Sequence, residues 1–261
     1  MLKTRVITAF FLIPLILGSV YLGGLVFFAL VTLALLFAGD EFFKMARGVG
    51  YRTMPVIGWA LIALFAWNAF DPADYFRPIL AGVIILTLVL GVFRHTDGWL
   101  AGWAITLAGA LYVGGLGAYF LLVRNLPNGT IWTTAALVTA WMTDTGAYLA
   151  GTRLGRHKFF PLISPKKTWE GAIGGWVAAP LTFVALGWLF SLPPDHCAML
   201  GFLIGIAATF GDLAESLIKR QTGVKDSSNI VPGHGGILDR LDSLLFTAVV
   251  TYYYLVWVLR V

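Results

Sequence analysis

Charged residues are spread unevenly along this chain, which alternates long charge-free runs with short polar ones. The first run, from Val6 to Gly39, has 34 residues without Asp, Glu, Lys or Arg. As one helix it would be about 51 Å long, whereas the hydrocarbon core of a bilayer is roughly 30 Å thick. Because Gly23 and Gly24 divide this run, we predict two short spans joined by a tight turn.

Seven further apolar runs follow, and each is a candidate membrane-crossing helix. Short polar or turn-forming segments separate them. The runs are Thr53 to Phe70, Pro78 to Phe93, Gly98 to Val123, Ile131 to about Ala150, Gly171 to about Leu192, His196 to Asp212 and about Ser243 to Leu259. The pattern therefore predicts an all-α polytopic membrane protein with about nine transmembrane helices. Residues 1–130 would supply about five helices and residues 131–261 the others, within one integrated membrane domain.

The composition supports a membrane protein and excludes an ordinary soluble domain. Of the 261 residues 59% are hydrophobic and 12% charged, and the mean hydropathy is +0.83. The single cysteine, Cys197, excludes an internal disulfide, and its apolar surroundings favour a packing role.

The distribution of positive charge predicts the orientation of these spans. With nine spans and a cytoplasmic N-terminus, 15 of the 18 Lys and Arg residues fall on one side of the membrane. Only Arg77, Arg124 and Arg260 fall on the other. Because cytoplasmic loops carry the excess of Lys and Arg, the rich side is predicted to be cytoplasmic.

The segment from Gly211 to Asp242 is the most polar part of the chain, and polar groups at membrane depth are costly unless they serve a function. Its first part has polar residues at positions i, i+3, i+4, i+7 and i+8, which share one face of a helix. These residues are Asp212, Glu215, Ser216, Lys219 and Arg220.

The second part of this segment contains Lys225, a glycine-rich turn around His234, and then Asp239, Arg240 and Asp242. Carboxylates beside clustered cations and a glycine loop suit a divalent metal and phosphate groups. A solvated loop with helix caps is the competing interpretation. A loop that only sets topology, however, needs Lys and Arg alone, whereas this one alternates in sign.

A second basic segment precedes the seventh span. Ser164 and Pro165 are typical of an N-cap and a first helical residue, which would place Lys166 and Lys167 on the first turn of that span. Cations at this position oppose the helix dipole, so either a bound phosphate or Glu170 should offset them.

Asp144 interrupts the otherwise apolar sixth span. It is either part of the polar site or a locally hydrogen-bonded residue near the membrane interface.

The polar segment resembles the signature of the phosphatidate cytidylyltransferases, the CDP-diacylglycerol synthases. Val231 occupies a position where Leu, Ile or Phe is expected, and Lys166 to Gly171 is similar to a second stretch of the same family. The matching pattern is Ser216-x-Ile218-Lys219-Arg220-x4-Lys225-Asp226-x-Ser228-x3-Pro232-x-His234-Gly235-Gly236-Ile237-x-Asp239-Arg240-Leu241-Asp242.

This resemblance implies the transfer of a cytidylyl group from CTP to phosphatidate, giving CDP-diacylglycerol and pyrophosphate. It also implies Mg²⁺, with a second cation left open, and a site on the cytoplasmic side of a bacterial inner membrane. The expected partners are CTP, phosphatidate and the lipid bilayer, without nucleic acid; a homodimer is left open.

Asp212 and Asp239 are the leading candidates for metal ligands, because they lie at the apolar boundaries of the signature and the resemblance favours them. Asp144, Glu215 and Asp242 are second choices, either as ligands of a second cation or as supports for the first. We expect Asp212 and Asp239 to converge around one cation.

The cations are predicted to contact phosphate groups, and His234 to contact a phosphate or a base or to cap the turn. Each cation alone could instead form a structural ion pair. The catalytic candidates are Lys219 and Arg220, and the substrate-binding candidates are Lys166, Lys167, Lys225, His234, Arg240 and Ser216.

Different functions are compatible with parts of this pattern. An ion-coupled transporter would explain carboxylates in membrane helices but not the cluster of cations and glycines. A related lipid or polyprenol kinase or nucleotidyltransferase would share the phosphate chemistry but act on a different substrate. A lipid-binding scaffold without activity would need only the basic loops.

Overall fold

The structure is a computed structural model that describes the backbone of residues 2–72, 76–94, 97–230 and 235–261. Within these ranges it describes the side chains of residue 8 and of residues 10 onwards. His234 lies outside the described residues.

The described residues of the first half of the chain form six α-helices, and the turn predicted near residue 23 is confirmed. Gly23 and Gly24 both have positive φ, of 62° and 51°, which glycine adopts without strain and which ends one helix and starts the next. The elements are α1 (Leu2–Leu22), α2 (Gly24–Gly48), α3 (Pro55–Phe70), α4 (Phe76–Arg94), α5 (Trp99–Gly109), a π-helical segment (Ala110–Gly115) and α6 (Tyr119–Asn125).

In the second half, the part of the chain that the structure describes forms four long helices and one hairpin. Helix α7 packs extensively against α8, α8 against α9, and α9 against α10. The elements are α7 (Gly129–Leu154), β1 (Lys158–Phe160), β2 (Ser164–Thr168), α8 (Trp169–Leu189), α9 (Pro194–Gln221), α10 (Leu238–Tyr253) and a π-helical segment (Tyr254–Leu259).

The predicted N-cap at Ser164 and first helical residue at Pro165 are wrong, whereas the apolar span predicted from Gly171 does form a helix. Residues Ser164–Thr168 form β2, which pairs antiparallel with β1, and α8 begins only at Trp169. Thr168 is the N-cap, and its hydroxyl accepts a hydrogen bond from the amide of Gly171 at 3.2 Å. Lys166 and Lys167 therefore lie on a strand that leads to the N-cap, not on the first turn of the helix.

Apart from this hairpin, the regular elements of the described residues are helices, so the protein is an all-α membrane protein. Among the described residues, six helices are long and apolar enough to cross a bilayer, and α3 and part of α1 form shorter apolar helices. Helix α4 exposes most of its apolar surface, for example Ile85 and Val92, as expected for a helix that faces lipid. The crossing of the membrane by all nine predicted spans stays a prediction.

The two ends of the helix bundle differ in chemistry. At one end, the C-terminal parts of α2 and α9 meet the hairpin and the start of α10 through polar contacts. At the other end, the Tyr119 and Tyr253 hydroxyls are 2.7 Å apart, and Arg124 Nε donates to the carbonyl of Val20 at 2.7 Å. The signature residues thus gather at the end opposite to Arg124.

Helices α9 and α10 approach each other closely beside this polar end. A Cβ atom at Gly211 would lie 2.5 Å from the carbonyl oxygen of Asp242 and 3.0 Å from Cα of Ser243. Glycine at this position lets the two helices that bear most of the signature pack backbone to backbone.

Candidate active site

A cavity of about 390 Å³ opens at the polar end of the bundle, between α7, β2, α8 and α9. Its polar lining includes carboxylates from two helices, Asp144 on α7 and Asp212 on α9. Lys166 and Lys167 line it from β2. The cavity therefore combines negative and positive side chains from three elements distant in sequence.

Asp212 is held by contacts on both of its carboxylate oxygens. Lys167 Nζ lies 2.8 Å from Asp212 Oδ2, and the two side chains are 24% and 34% exposed. The hydroxyl of Ser216 donates to Asp212 Oδ1 at 3.3 Å. Both partners leave the Asp212 carboxylate open to the cavity, where a ligand can reach it.

Asp242 and Arg240 extend the charged surroundings of this cavity. Asp242 on α10 is close enough to interact electrostatically with Asp212, Asp144 and Arg240. Asp144 likewise interacts electrostatically with Asp212, Lys167 and Arg240. The structure therefore brings three of the predicted carboxylates together with two of the predicted cations.

Asp239 belongs to a second, more buried cluster. Lys219 Nζ lies 2.6 Å from Asp239 Oδ1 and also forms an ion pair with Glu215. Asp239 Oδ2 accepts hydrogen bonds from the amides of Ser227 at 3.0 Å and Gly236 at 2.8 Å. Both Lys219 and Asp239 are only 9% exposed, so their charges largely satisfy one another.

The structure thus places the two leading aspartates at the same end of the bundle, each with a different lysine partner. Glu215 links the two groups, because it interacts electrostatically with Asp242 as well as with Asp239 and Lys219. Asp212 lines the cavity, whereas Asp239, Lys219 and Glu215 are not among its described lining residues. Lys219, which is predicted to contact phosphate, forms ion pairs with two carboxylates in this structure. One is Glu215, one turn earlier on α9, and the other is Asp239 at the start of α10.

Arg220 and Lys225 lie outside the cavity lining described for this end of the bundle. Arg220 Nε donates to the carbonyl of Ile163 at 3.1 Å, which ties the hairpin to the end of α9. Lys225 is exposed in the turn that follows α9. Their predicted phosphate contacts therefore stay predictions, as does that of His234.

Sequence reasoning missed Glu41, a buried carboxylate on α2 that contacts the signature. It accepts hydrogen bonds from Ser227, Ser228, Ile237 and Leu238. The only sequence signal is an acidic residue directly after the charge-free run of α2, beside Asp40. Nothing in that pattern distinguishes Glu41 from a solvated residue at the end of a helix.

The residues of the cavity fit a hard divalent cation. Asp144 and Asp212 offer oxygen donors, the type that Mg²⁺ prefers. Within the described ranges, no group of three or more His, Cys, Asp and Glu side chains is arranged to hold a metal ion. Mg²⁺ commonly binds one or two carboxylates and takes its other ligands from water and substrate phosphates.

Comparison with known proteins supports the resemblance noted in the signature. The model of the cytidylyltransferase family matches residues 3–258 of this chain. A protein of Pseudomonas aeruginosa named phosphatidate cytidylyltransferase is 36% identical over 273 residues, which cover 98% of this chain and 97% of the relative.

Two further relatives carry the same name. One, from Synechocystis, is 34% identical over 290 residues and covers 98% of this chain and 97% of its own length. The other, from Bacillus subtilis, is 44% identical over 154 residues, 58% of this chain and 57% of the relative. The chain therefore belongs to the cytidylyltransferase family and is a nucleotidyltransferase.

Proposed function

We propose that this protein is a phosphatidate cytidylyltransferase that converts CTP and phosphatidate into CDP-diacylglycerol and pyrophosphate. The cavity carries this proposal, because it joins Asp144 and Asp212 to Lys166 and Lys167 at the polar end of an apolar helix bundle. The names of the full-length relatives support the same substrates.

The reaction brings two anionic substrates together. An oxygen of the phosphatidate phosphate attacks the α-phosphorus of CTP, and the bond from that phosphorus to the pyrophosphate oxygen breaks. The attacking phosphate is already ionised near neutral pH, so the reaction does not demand a general base. The protein's task is to position the two phosphates and to offset their repulsion.

Within the cavity, we assign binding of the cation to Asp144 and Asp212. Asp242 would add negative charge beside them, since it interacts electrostatically with both. Mg²⁺ bound there would neutralise phosphate charge and stabilise the pyrophosphate as it leaves. Lys166, Lys167 and Arg240 would contact phosphate oxygens and orient the triphosphate. Lys167, which pairs with Asp212, would move its ammonium group only a short distance to reach such a phosphate.

A site at the end of the bundle also suits a lipid substrate. The acyl chains of phosphatidate can remain in the bilayer while the headgroup enters the polar cavity. We assign this end to the cytoplasm, where CTP is available, because most Lys and Arg residues are predicted on that side. A bacterial inner membrane is the proposed location.

Incorporation of radiolabelled CTP into chloroform-soluble product tests this function. Purified protein in detergent with phosphatidate and Mg²⁺ should form labelled CDP-diacylglycerol and release pyrophosphate, and EDTA should abolish both. Omitting phosphatidate controls for background. Absence of product, together with ion-dependent solute uptake in proteoliposomes, would favour a transporter, and product with another lipid acceptor would change the proposed substrate.

A further inference from the structure

Glu41 is fully buried on α2, yet its carboxylate binds groups from the other end of the chain. Oε2 accepts from the Ser227 hydroxyl at 2.8 Å and the Leu238 amide at 2.8 Å. Oε1 accepts from the Ser228 hydroxyl at 2.5 Å and the Ile237 amide at 3.0 Å. Each oxygen therefore binds one hydroxyl and one backbone amide.

The two amides lie at the start of α10. The first amides of an α-helix have no acceptor within the helix, and a negative charge near them is favoured by the helix dipole. Glu41 thus caps α10 from a different helix, 196 and 197 positions earlier in the chain. Burying a carboxylate without hydrogen-bond donors costs free energy. The four hydrogen bonds to Glu41 offset this cost and allow the side chain to be buried.

The contacts of Glu41 continue to the Asp239 cluster through Ser227. The Ser227 hydroxyl lies 3.0 Å from Asp239 Oδ2, and the Ser227 amide donates to the same oxygen at 3.0 Å. Asp239 in turn pairs with Lys219 on α9. Glu41, Ser227, Asp239 and Lys219 therefore form a continuous polar connection between α2, α10 and α9.

The backbone beside this connection leaves no room for a side chain. A Cβ atom at Gly236 would overlap the Ser227 hydroxyl and the Glu41 carboxylate. Gly235 has φ 83°, and a Cβ there would lie 2.6 Å from Asp239 Oδ2. The glycines thus allow the two carboxylates to approach the backbone at the start of α10.

We propose that Glu41 is a positioning residue: it fixes the start of α10 and, through Ser227, the orientation of Asp239 and Lys219. Glu41 itself does not line the cavity in the described structure. Its effect on turnover rests on the proposed function, whereas its effect on α10 does not. The N-terminal half of the chain thereby supplies one group that the catalytic half needs.

Glu41→Gln tests the capping role without changing the size of the side chain. Whichever way the amide is turned, its NH2 group faces either Ile237 N or Leu238 N, and one backbone donor loses its acceptor. The serine hydroxyls can rotate to accept, but a backbone amide cannot. We expect hydrogen exchange of the amides of residues 236–241 to become about tenfold faster or more.

Asp40→Asn is the matched control, because Asp40 is the adjacent carboxylate and pairs with the exposed Lys44 at 2.6 Å. It should leave exchange in residues 236–241 unchanged. Equal exchange in Glu41→Gln and wild type would overturn the proposal. If Glu41→Gln does not fold, Ser228→Ala removes one donor to Oε1 and should accelerate exchange of the same amides to a smaller extent.

Activity provides the second readout. We expect kcat/KM for CTP to fall about tenfold or more in Glu41→Gln and to stay within about twofold in Asp40→Asn. Ser227→Ala combined with Glu41→Gln should lose less than the product of the two single effects, because both remove the same connection to Asp239. A purely packing role predicts normal activity for the isosteric glutamine. If wild type has no cytidylyltransferase activity, the proposed function fails while hydrogen exchange still decides the role of Glu41.

Discussion

Lys167 on β2 and Asp212 on α9 form an ion pair of 2.8 Å at the mouth of the cavity, 45 positions apart in the chain. This pair joins the hairpin to the helix that carries the first half of the signature. Because both side chains remain partly exposed, the pair is weak, so Asp212 can exchange Lys167 for a metal cation and Lys167 can exchange Asp212 for a phosphate. Neutralising one member therefore should affect ligand binding more than stability.

Asp212→Asn should lower turnover by about 100-fold or more, because the asparagine removes a negative ligand from the proposed cation site. The unfolding midpoint in detergent should change little. Asp195→Asn is the control: Asp195 is exposed in the first turn of α9, at the other end of the same helix. Near-normal turnover in Asp212→Asn would remove this residue from the metal site.

Lys219→Ala should destabilise the protein, because it leaves Glu215 and Asp239 without their buried cation. Breaking a buried ion pair from one side costs about 3–5 kcal/mol. Lys44→Ala removes a lysine with the same i, i+4 spacing to its partner Asp40, but its side chain is 59% exposed. Such pairs contribute about 0.3–0.5 kcal/mol.

The measurement for this pair of variants is the thermal or denaturant midpoint in one detergent. A clearly larger loss for Lys219→Ala than for Lys44→Ala is expected. Equal small losses, with a raised KM for CTP in Lys219→Ala only, would instead support direct phosphate binding by Lys219.

Much of the fold follows from local patterns in the sequence. The turn at Gly23 and Gly24 is predictable because a 34-residue apolar run exceeds the bilayer thickness and this pair of adjacent glycines divides it near its middle. The polar face of α9 is predictable from the helical period, which places Lys219 beside Glu215. Both predictions depend on residues close together in the chain.

The hairpin could not be predicted in the same way, because tertiary contacts decide it. Ser164 and Thr168 are both good N-cap residues, so the sequence alone does not choose between them. Phe159 packs edge-on against Trp169 with ring centroids 4.4 Å apart, and Arg220 holds the carbonyl of Ile163. These contacts favour the strand and move the helix start to Trp169.

The different partners of Asp239 and Asp242 also escape sequence reasoning. Asp239 and Asp242 are three residues apart, yet Asp239 faces Lys219 and Ser227 while Asp242 lies near Asp144 and Asp212. In the role proposed for Glu41, this residue sets that choice, because it binds the start of α10 from 197 positions away. No local spacing carries that information.

Gly211→Ala should destabilise the protein by about 1–3 kcal/mol, because its methyl group would press against the backbone of Asp242 and Ser243. Gly82→Ala is the control, since Gly82 lies on the exposed helix α4 and a Cβ there meets nothing within 4 Å. Unfolding midpoints of the two variants in the same detergent provide the comparison. An unaltered midpoint for Gly211→Ala would show that α9 and α10 are not packed this closely.

Cysteine labelling tests the proposed orientation of the site in the membrane. Two cysteine variants are made in a Cys197→Ala background. Lys225→Cys marks the end of the bundle that carries the cavity and Pro127→Cys marks the opposite end, and both positions are exposed to the reagent. A membrane-impermeant maleimide should label Pro127→Cys in right-side-out vesicles and Lys225→Cys in inverted vesicles, because the positive-inside rule predicts that the signature faces the cytoplasm. Cys197→Ala removes the native thiol as a background signal, and because it deletes only one buried sulfur atom the fold should persist. Labelling of both positions from the same side would contradict the arrangement of the helix ends, and the reverse pattern would place the cavity outside the cytoplasm, away from CTP.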